Sequence, residues 1–412
     1  MRLPASLHVL RERNFARYLG AIVVSHLGGG MANVAIAFAV LEFGSPTDLG
    51  IVLLSREVPM IVFLLLGGVF ADRLPRRSIL VSTDLVKAVA QVATAALLFT
   101  GQAHVWNVAV LQGLFGVANA FSRPVGIGLI KETVSDAHLQ QANALTQLAR
   151  STLSVVSPAL GALIVTLGSP AIAIAVDAVT FFASALFVAS MRITGTVRAA
   201  TKSLVGDLRE GWREFVSRPW VVAIIASFGL FQLTYFPALL VLGPTVALEH
   251  LGGAAGWGTI IAVEGLGAIV GGLVALRIRV SRPLVWSELV VLPSGFLLFA
   301  LAVPLPVIAI AAVGFLVGAG FAIGENLYVT AFQRNIPEHA LSRISSYDWF
   351  GSVALNPIGY ALIGPVAETI GIPQTLVIAG VLNVLVCFGV VLVPSVRAIR
   401  PGGTIAETPA PA

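Results

Sequence analysis

The sequence is poor in cysteine and in charged residues, and both shortages exclude classes of protein. Its single cysteine, Cys387, rules out a disulfide framework and a cysteine-ligated metal cluster. Charged residues make up 11% of the 412 residues, whereas soluble globular proteins carry about 25%. The sequence also lacks an HExxH zinc motif and a nucleotide-binding glycine loop. We therefore expect neither a soluble domain nor an enzyme, and no metal or cofactor.

Hydrophobic residues are abundant instead, at 57% of the chain, with a mean hydropathy of +0.94. They form runs of roughly 18 to 24 residues, long enough to cross ~30 Å of hydrocarbon as helices. The basic N-terminal segment has no small-residue cleavage site, which indicates a cytosolic start rather than a removable signal peptide. The sequence predicts an all-α membrane protein of twelve transmembrane helices, near residues 18–41, 49–70, 78–99, 106–128, 146–167, 170–190, 221–247, 257–276, 284–302, 306–331, 347–366 and 374–394.

The basic residues predict how these helices are oriented. With a cytosolic N-terminus, the outward loops contain no Lys or Arg, and of the 25 basic residues only Arg56, Lys87 and Arg123 fall inside helices. Cytoplasmic loops of membrane proteins carry the excess of Lys and Arg. We therefore predict that both termini are cytosolic. We attribute the net charge of +5 to topology and not to nucleic-acid binding.

The two halves of the chain repeat one another. GGVFADRLPRR at 67–77 matches GGLVALRIRVSRP at 271–283, and this offset places Asp84 on Glu288. VSDAHL and SPALGALI in the first half match IPEHAL and NPIGYALI in the second. Parallel repeats of six helices predict a pseudo-twofold axis along the membrane normal, with a binding site near the midplane. The predicted divisions are a first half at 1–191, a cytosolic linker with an amphipathic helix at 192–219, a second half at 220–397 and a disordered tail at 398–412.

The segment GGVFADRLPRR resembles the signature loop between helices two and three of the major facilitator superfamily. The resemblance implies the major facilitator fold, alternating access, and a loop that latches the two halves together. Pro75 replaces a glycine of the motif, and Leu276 stands where the second copy would need its aspartate. The positions that match the motif are Gly68, Asp72, Arg73, Arg76 and Arg77.

Three further segments resemble branches of this superfamily. SPALGAL is similar to the antiporter motif with Ser157 and Ala162 in place of glycines, and AVLQGLFG has Ala109 where drug–proton antiporters carry Arg. GENLYVTAFQRNIPEHALSRISSYDW resembles the siderophore- and macrolide-exporter-like branch of actinobacteria. The resemblance implies a monomeric, proton-coupled exporter of a small, moderately apolar molecule, such as a drug, antibiotic or siderophore, in the bacterial inner membrane. An importer or uniporter of the same fold, and a non-transporting receptor or scaffold, are the alternatives.

Charged residues inside the spans are costly unless they are paired or face water, so each one is a candidate for function. Asp84 and Lys87 lie three residues apart on one helix and are expected to neutralise one another. Asp177 is expected to be a hydrogen-bonded structural acid, and Arg56 is able to snorkel along its stem to the membrane surface. The candidates for carrying a coupling proton are Glu264, Glu325 and His26.

The resemblance also implies that helices one, four, seven and ten line the cavity. Polar and aromatic residues there suit a large, partly apolar ligand, although aromatic stripes also serve packing. The repeat places Arg123 and Glu325 at the same depth of helices four and ten, which predicts an ion pair that closes the inner mouth. The candidate cavity residues are Asn33, Gln112, Asn119, Phe228, Gln232, Tyr235, Asn326 and Tyr328.

Overall fold

A computed structural model describes residues 9–192, 212–303 and 305–401, and within these ranges the chain is helical and contains no β-strand. Eleven of the described helices are long and apolar enough to cross a bilayer, and α2, with 28 residues, has the length for a twelfth. The predicted all-α membrane fold is thus confirmed. The helices are α1 Arg13–Phe43, α2 Pro46–Arg73, α3 Arg76–Phe99, α4 Val105–Thr133, α5 Leu139–Leu167, α6 Pro170–Ala189, α7 Pro219–His250, α8 Ala254–Ala275, α9 Pro283–Leu289 continued by Pro293–Ala302, α10 Val307–Asn335, α11 Glu338–Val353 continued by Asn356–Ile370, and α12 Ile372–Leu392.

The described chain packs as two units. The first contains α1–α6 together with Ala247–Gly258, and the second contains the remaining helices. In the first unit α1 packs along α5 and α6, and α3 packs along α4 and α6. In the second unit α7 packs along α11 and α12, and α9 packs along α10 and α12. Each pairing recurs six helices later, as the sequence repeat predicts.

Glycines allow the helices of the first unit to approach closely. A Cβ at Gly28 would overlap the Thr180 and Asp177 side chains of α6, and a Cβ at Gly30 would overlap Ser157 of α5. Gly29, between them, has no neighbouring atom within 4 Å of that position. Small residues at such contacts let helix backbones meet within a membrane. Two of the three glycines in the middle of α1 therefore serve packing.

Several spans begin earlier or are more interrupted than the apolar runs predict. α5 begins at Leu139 rather than near 146, and Arg150 lies within this helix, which corrects our statement that only Arg56, Lys87 and Arg123 among the basic residues fall inside helices. α11 begins at Glu338 rather than near 347. α9 and α11 are each broken once, next to Pro293 and Pro357, because proline lacks the N–H that would continue the helix.

The linker is described only from residue 212 onward, so most of the predicted amphipathic helix, from Leu204, lies outside the described residues. The tail from 402 onward also lies outside them. Phe215 is buried, and its ring stacks on Tyr347 with centroids 5.8 Å apart. Trp212 is more than half exposed and contacts the same two rings. The end of the linker is thus fixed to the second unit through aromatic contacts.

Candidate functional site

A buried ion pair lies among α3, α4 and α6 of the first unit. The ammonium of Lys87 is 3.7 Å from the Asp84 carboxylate, as their spacing on α3 predicts. Lys87 Nζ also donates a hydrogen bond to Ser122 Oγ of α4 at 3.0 Å, and Ser184 Oγ of α6 donates to Asp84 Oδ2 at 2.7 Å. Both charged residues are under a tenth exposed. Each charge is therefore neutralised and hydrogen-bonded, and the pair ties three helices together.

A second buried polar cluster extends this network. Gln91 Nε2 of α3 donates to Asp177 Oδ2 of α6 at 2.6 Å, and Thr180 Oγ1 donates to Asp177 Oδ1 at 3.3 Å. Gln112 Nε2 of α4 donates to Gln91 Oε1 at 3.3 Å. Asp177 thus has the hydrogen bonds expected of a structural acid. Gln112, a candidate cavity residue, is only 1% exposed and points into the helix bundle instead.

Arg56 of α2 contacts neighbouring helices instead of extending along its own helix to the membrane surface. Its Nη1 donates to Asn33 Oδ1 of α1 at 2.9 Å, and its guanidinium carbon lies 4.4 Å from the ring centroid of Phe115 on α4. Lys87 Nζ lies 5.9 Å from the centroid of the same ring. Cation–π attraction of this kind is worth about 0.5–2 kcal/mol. The ring of Phe115 therefore lies close to two cationic side chains of the first unit, those of Arg56 and Lys87.

The candidate polar residues of the first unit that are at least partly exposed lie on α1 and α4. His26 and Asn33 are both exposed on an otherwise mostly buried stretch of α1, as their seven-residue spacing predicts. His26 Nδ1 lies 3.1 Å from the backbone carbonyl of Ile22 in the preceding turn. On α4, Arg123 is exposed and Asn119 is half-buried. These helices therefore present polar groups to a surface that lies outside the helix packing.

The loop that resembles the superfamily signature is held to its own unit by arginines. Arg76 Nη1 forms an ion pair with Glu132 Oε1 of α4 at 2.9 Å. Arg77 donates to the carbonyl oxygen of Ala189, the last residue of α6, and Arg17 Nη1 of α1 donates to the next carbonyl, that of Ser190, at 2.6 Å. These bonds satisfy carbonyls that the end of a helix leaves free. The side chains of Gly68, Asp72 and Arg73 lie outside the described part of the chain.

Four of the acids within or beside the spans of the second unit are Glu264, Glu288, Glu325 and Asp348. None of them forms an ion pair with a described residue. Ser227 Oγ donates to Glu288 Oε2 at 3.2 Å, and the Tyr328 hydroxyl donates to Asp348 Oδ1 at 2.8 Å. Glu325 and the neighbouring Asn326 are exposed. Within the described ranges, no group of three or more His, Cys, Asp or Glu residues is arranged to hold a metal ion.

Asp348 was not singled out from the sequence. It lies ten residues after the start of α11, in a stretch of Ser, Tyr and Trp that looks like the edge of a span. The sequence signal that could have identified Asp348 is its position between two aromatic residues at the edge of a predicted span. The structure brings it to Tyr328, a candidate cavity residue of α10.

Aromatic rings pack together on α7 and α10. Phe231 and Tyr235 have centroids 4.8 Å apart, and both lie near Phe321, at 5.7 and 5.8 Å. Phe228 stacks on Phe231 at 6.1 Å and is 39% exposed, so it presents a free ring face. Gln232 is half-buried. Tyr235, another candidate cavity residue, is fully buried, and its hydroxyl has no hydrogen-bond partner in the described structure.

Glu264 lies on α8 against the glycine face of α10. A Cβ at Gly318 would overlap the backbone carbonyl of Glu264, and one at Gly314 would lie 3.7 Å from Glu264 Cβ. Among the described residues the Glu264 carboxylate accepts no hydrogen bond. Phe321, one turn beyond Gly318 on α10, has its ring 5.8 Å from that of Tyr235, so Glu264 and Tyr235 pack against the same stretch of α10.

The comparisons with known proteins cover almost the whole chain. The family model of the Major Facilitator Superfamily matches residues 18–354. The multidrug efflux pump Tap of Mycolicibacterium fortuitum is 27% identical over 400 residues, which cover 92% of this chain and 95% of the pump. Macrolide efflux protein A of Streptococcus pyogenes is 24% identical over 396 residues, which cover 92% of this chain and 94% of that protein.

Solved structures show the same fold at low identity. A mutant of the nucleoside transporter NupG matches with a TM-score of 0.71 at 12% identity, covering 92% of this chain and 98% of that one. A D-xylose-proton symporter matches with a TM-score of 0.71 at 13% identity, covering 96% and 100% of the two chains.

Proposed function

The chain belongs to the Major Facilitator Superfamily and is a multi-pass membrane transporter, and on this premise we propose that it exports a small, moderately apolar molecule in exchange for protons. The observation that carries the proposal is the alignment with multidrug and macrolide efflux proteins over 92% of the chain. A drug, an antibiotic or a siderophore is the expected cargo. We place the protein in the bacterial plasma membrane as a monomer, with both termini in the cytosol.

The distribution of polar side chains supports a transport pathway on α1, α4, α7 and α10. Polar groups of α3 and α6 are buried and bonded to one another, which gives them a structural role. By contrast, the exposed candidate residues lie on the four named helices. Because a polar side chain exposed to hydrocarbon is costly, we place the polar ones against water or substrate. They are His26, Asn33, Arg123, Glu325 and Asn326, and α7 adds the exposed ring of Phe228.

We assign the coupling proton to Glu264, with Glu325 and His26 as the other candidates. Glu264 is an acid inside a span without an ion-pair partner or a hydrogen bond among the described residues, so its charge is not balanced as that of Asp84 is. A carboxyl group in such a setting has no counter-charge that keeps it ionised, and desolvation favours its protonated form, so it is able to bind a proton and to release it when water reaches it. Asp72 and its neighbours act as the latch, and Arg123 with Glu325 acts as the inner gate.

Everted membrane vesicles test the direction and the coupling together. Vesicles that contain the protein should accumulate radiolabelled erythromycin when a pH gradient, acidic inside, is imposed, and should release it when nigericin collapses the gradient. Glu264→Gln should abolish this accumulation yet retain counterflow exchange of unlabelled for labelled drug. Glu57→Gln makes the same chemical change at a half-buried acid of α2 and serves as the matched control.

Accumulation that survives nigericin would contradict proton coupling. Gradient-driven accumulation by Glu264→Gln equal to that of the wild type would remove Glu264 from the coupling. If erythromycin is not transported, a tetracycline and a ferric hydroxamate siderophore are the next probes in the same vesicles.

A further inference from the structure

The hydroxyl group of Tyr235 is one of several buried polar groups of the second unit without a hydrogen-bond partner in the described structure, and Trp220 Nε1 and Asn383 Nδ2 are others. The residue is fully buried, and its hydroxyl has no hydrogen-bond partner in the described structure. By contrast, the hydroxyls of Ser227 and Tyr328 in the same unit donate to carboxylates. A buried donor without a partner is costly, and phenylalanine would fill the same space without that cost. A hydroxyl here is explained if it has a partner in another state of the protein.

Glu264 is the partner that the geometry offers. It accepts no hydrogen bond from the described residues. From α10, a Cβ at Gly318 would overlap the backbone carbonyl of Glu264, and Phe321, one turn farther along the same helix, has its ring centroid 5.8 Å from that of Tyr235. Tyr235 of α7 and Glu264 of α8 thus pack against the same stretch of α10. The next acid of α10, Glu325, lies roughly 10 Å farther along that helix.

The backbone next to Tyr235 provides a means of moving it. α7 changes from α-helical to π-helical geometry at Ala238–Leu242, immediately after Pro237. A π turn holds one extra residue, and shifting or removing it rotates the adjoining segment by roughly 100° about the helix axis. Such turns occur frequently at functional sites. The direction of the Tyr235 side chain relative to α8 is therefore adjustable within one turn.

We propose that Tyr235 positions the coupling proton of Glu264, donating a hydrogen bond to its carboxylate once the proton has left. The step is a proton transfer, in which the O–H bond of the Glu264 carboxyl breaks and the proton passes to water. Tyr235 keeps its own proton throughout. When Glu264 is protonated again, the tyrosine hydroxyl returns to the aromatic cluster of Phe231 and Phe321. This inference rests on the proposed role of Glu264.

Infrared difference spectroscopy tests the inference without any substrate. The full-length protein in lipid nanodiscs is titrated with pH while the C=O stretching band of protonated carboxyl groups is followed. The component that disappears in Glu264→Gln reports the proton on Glu264. Because a hydrogen bond favours the ionised carboxylate, Tyr235→Phe should move the midpoint of this component upward by roughly 1–2 pH units. Tyr360→Phe, which removes a hydroxyl from another buried tyrosine of the unit, should leave it in place.

A stability measurement separates positioning from packing. Because the Tyr235 hydroxyl has no partner here, Tyr235→Phe should unfold thermally at the same temperature as the wild type or higher, while its midpoint still shifts. If the Glu264 component exists but its midpoint is the same in Tyr235→Phe, the role of Tyr235 is refuted and that of Glu264 stands. If Glu264→Gln removes no component of the spectrum, both the inference and the assignment of the coupling proton fail.

Discussion

Replacing Lys87 by methionine would remove the ammonium group from the buried ion pair and keep an unbranched side chain of similar length. Asp84 would then retain one hydrogen bond, from Ser184 at 2.7 Å, and lose the cation 3.7 Å away. Ser122 Oγ would lose the hydrogen bond that it accepts from Lys87 and keep the one that it donates to the Asn119 carbonyl. Removing one member of a buried pair costs about 3–5 kcal/mol, because the other charge is left uncompensated.

This loss of stability follows from the burial of the pair. Lys87 is 5% exposed and Asp84 is 7% exposed, so water cannot replace the lost partner. A unit of this size loses about 2–4 °C of thermal stability per kcal/mol, which predicts a decrease of roughly 6–20 °C for Lys87→Met. The assay is thermal unfolding in detergent, followed by size-exclusion chromatography of the remaining monodisperse protein. Lys131→Met changes an exposed lysine of α4 and should have no measurable effect.

A second substitution distinguishes the ion pair from packing. Asp84→Asn keeps an oxygen that accepts from Ser184 and removes the charge that Lys87 neutralises. The combination of Asp84→Asn with Lys87→Met should therefore recover most of the lost stability, since no uncompensated charge remains. A double variant no more stable than Lys87→Met would refute this explanation, as would a wild-type unfolding temperature in Lys87→Met itself.

Three further predictions concern topology, the latch and the gate. A cysteine at Gln102, in a described loop that the proposed orientation places outside, should react with an impermeant maleimide from outside intact cells, and labelling only after lysis would contradict that orientation. Asp72→Asn should insert normally yet transport at least about tenfold more slowly, whereas Leu276→Asp should have little effect; wild-type transport in Asp72→Asn would leave the loop as a topology signal only. Arg123→Glu and Glu325→Arg should each depress transport, and their combination should recover a measurable part; a double variant no better than the worse single one would exclude the gate.

The helices were predictable because hydrocarbon thickness fixes the length of an apolar run. The repeat of GGVFADRLPRR in the second half also predicts that helix pairings recur, and they do. The start of α5 was missed because Gln140 and Gln141 extend a helix in polar sequence, where hydropathy gives no signal. The π turn after Pro237 was missed because proline marks an interruption without specifying its geometry.

Within the candidate site, local pairs were predictable and distant ones were not. The spacing of Asp84 and Lys87 places both on one helix face, and the structure joins them. The bond from Gln91 to Asp177 links residues 86 positions apart, so it depends on how α3 and α6 pack. Gln112 was assigned to the cavity from its helix alone, although its rotation about the helix axis turns it inward.

Arg17 of α1 and Arg77 of α3, which contact the C-terminal end of α6, serve two different processes. In the orientation that we propose, Arg17 and Arg77 count during biosynthesis only as positive charges that keep their segments in the cytosol. In the folded protein their planar guanidinium groups donate to the carbonyls of Ala189 and Ser190. Lysine would supply the same positive charge during insertion. Its compact ammonium group, however, lacks the planar, forked N–H donors with which arginine binds the carbonyls at a helix end. Replacing Arg17 and Arg77 by lysine would therefore separate the two processes. The variant would insert with the correct topology, but the C-terminal end of α6 would lose its hydrogen bonds and fray.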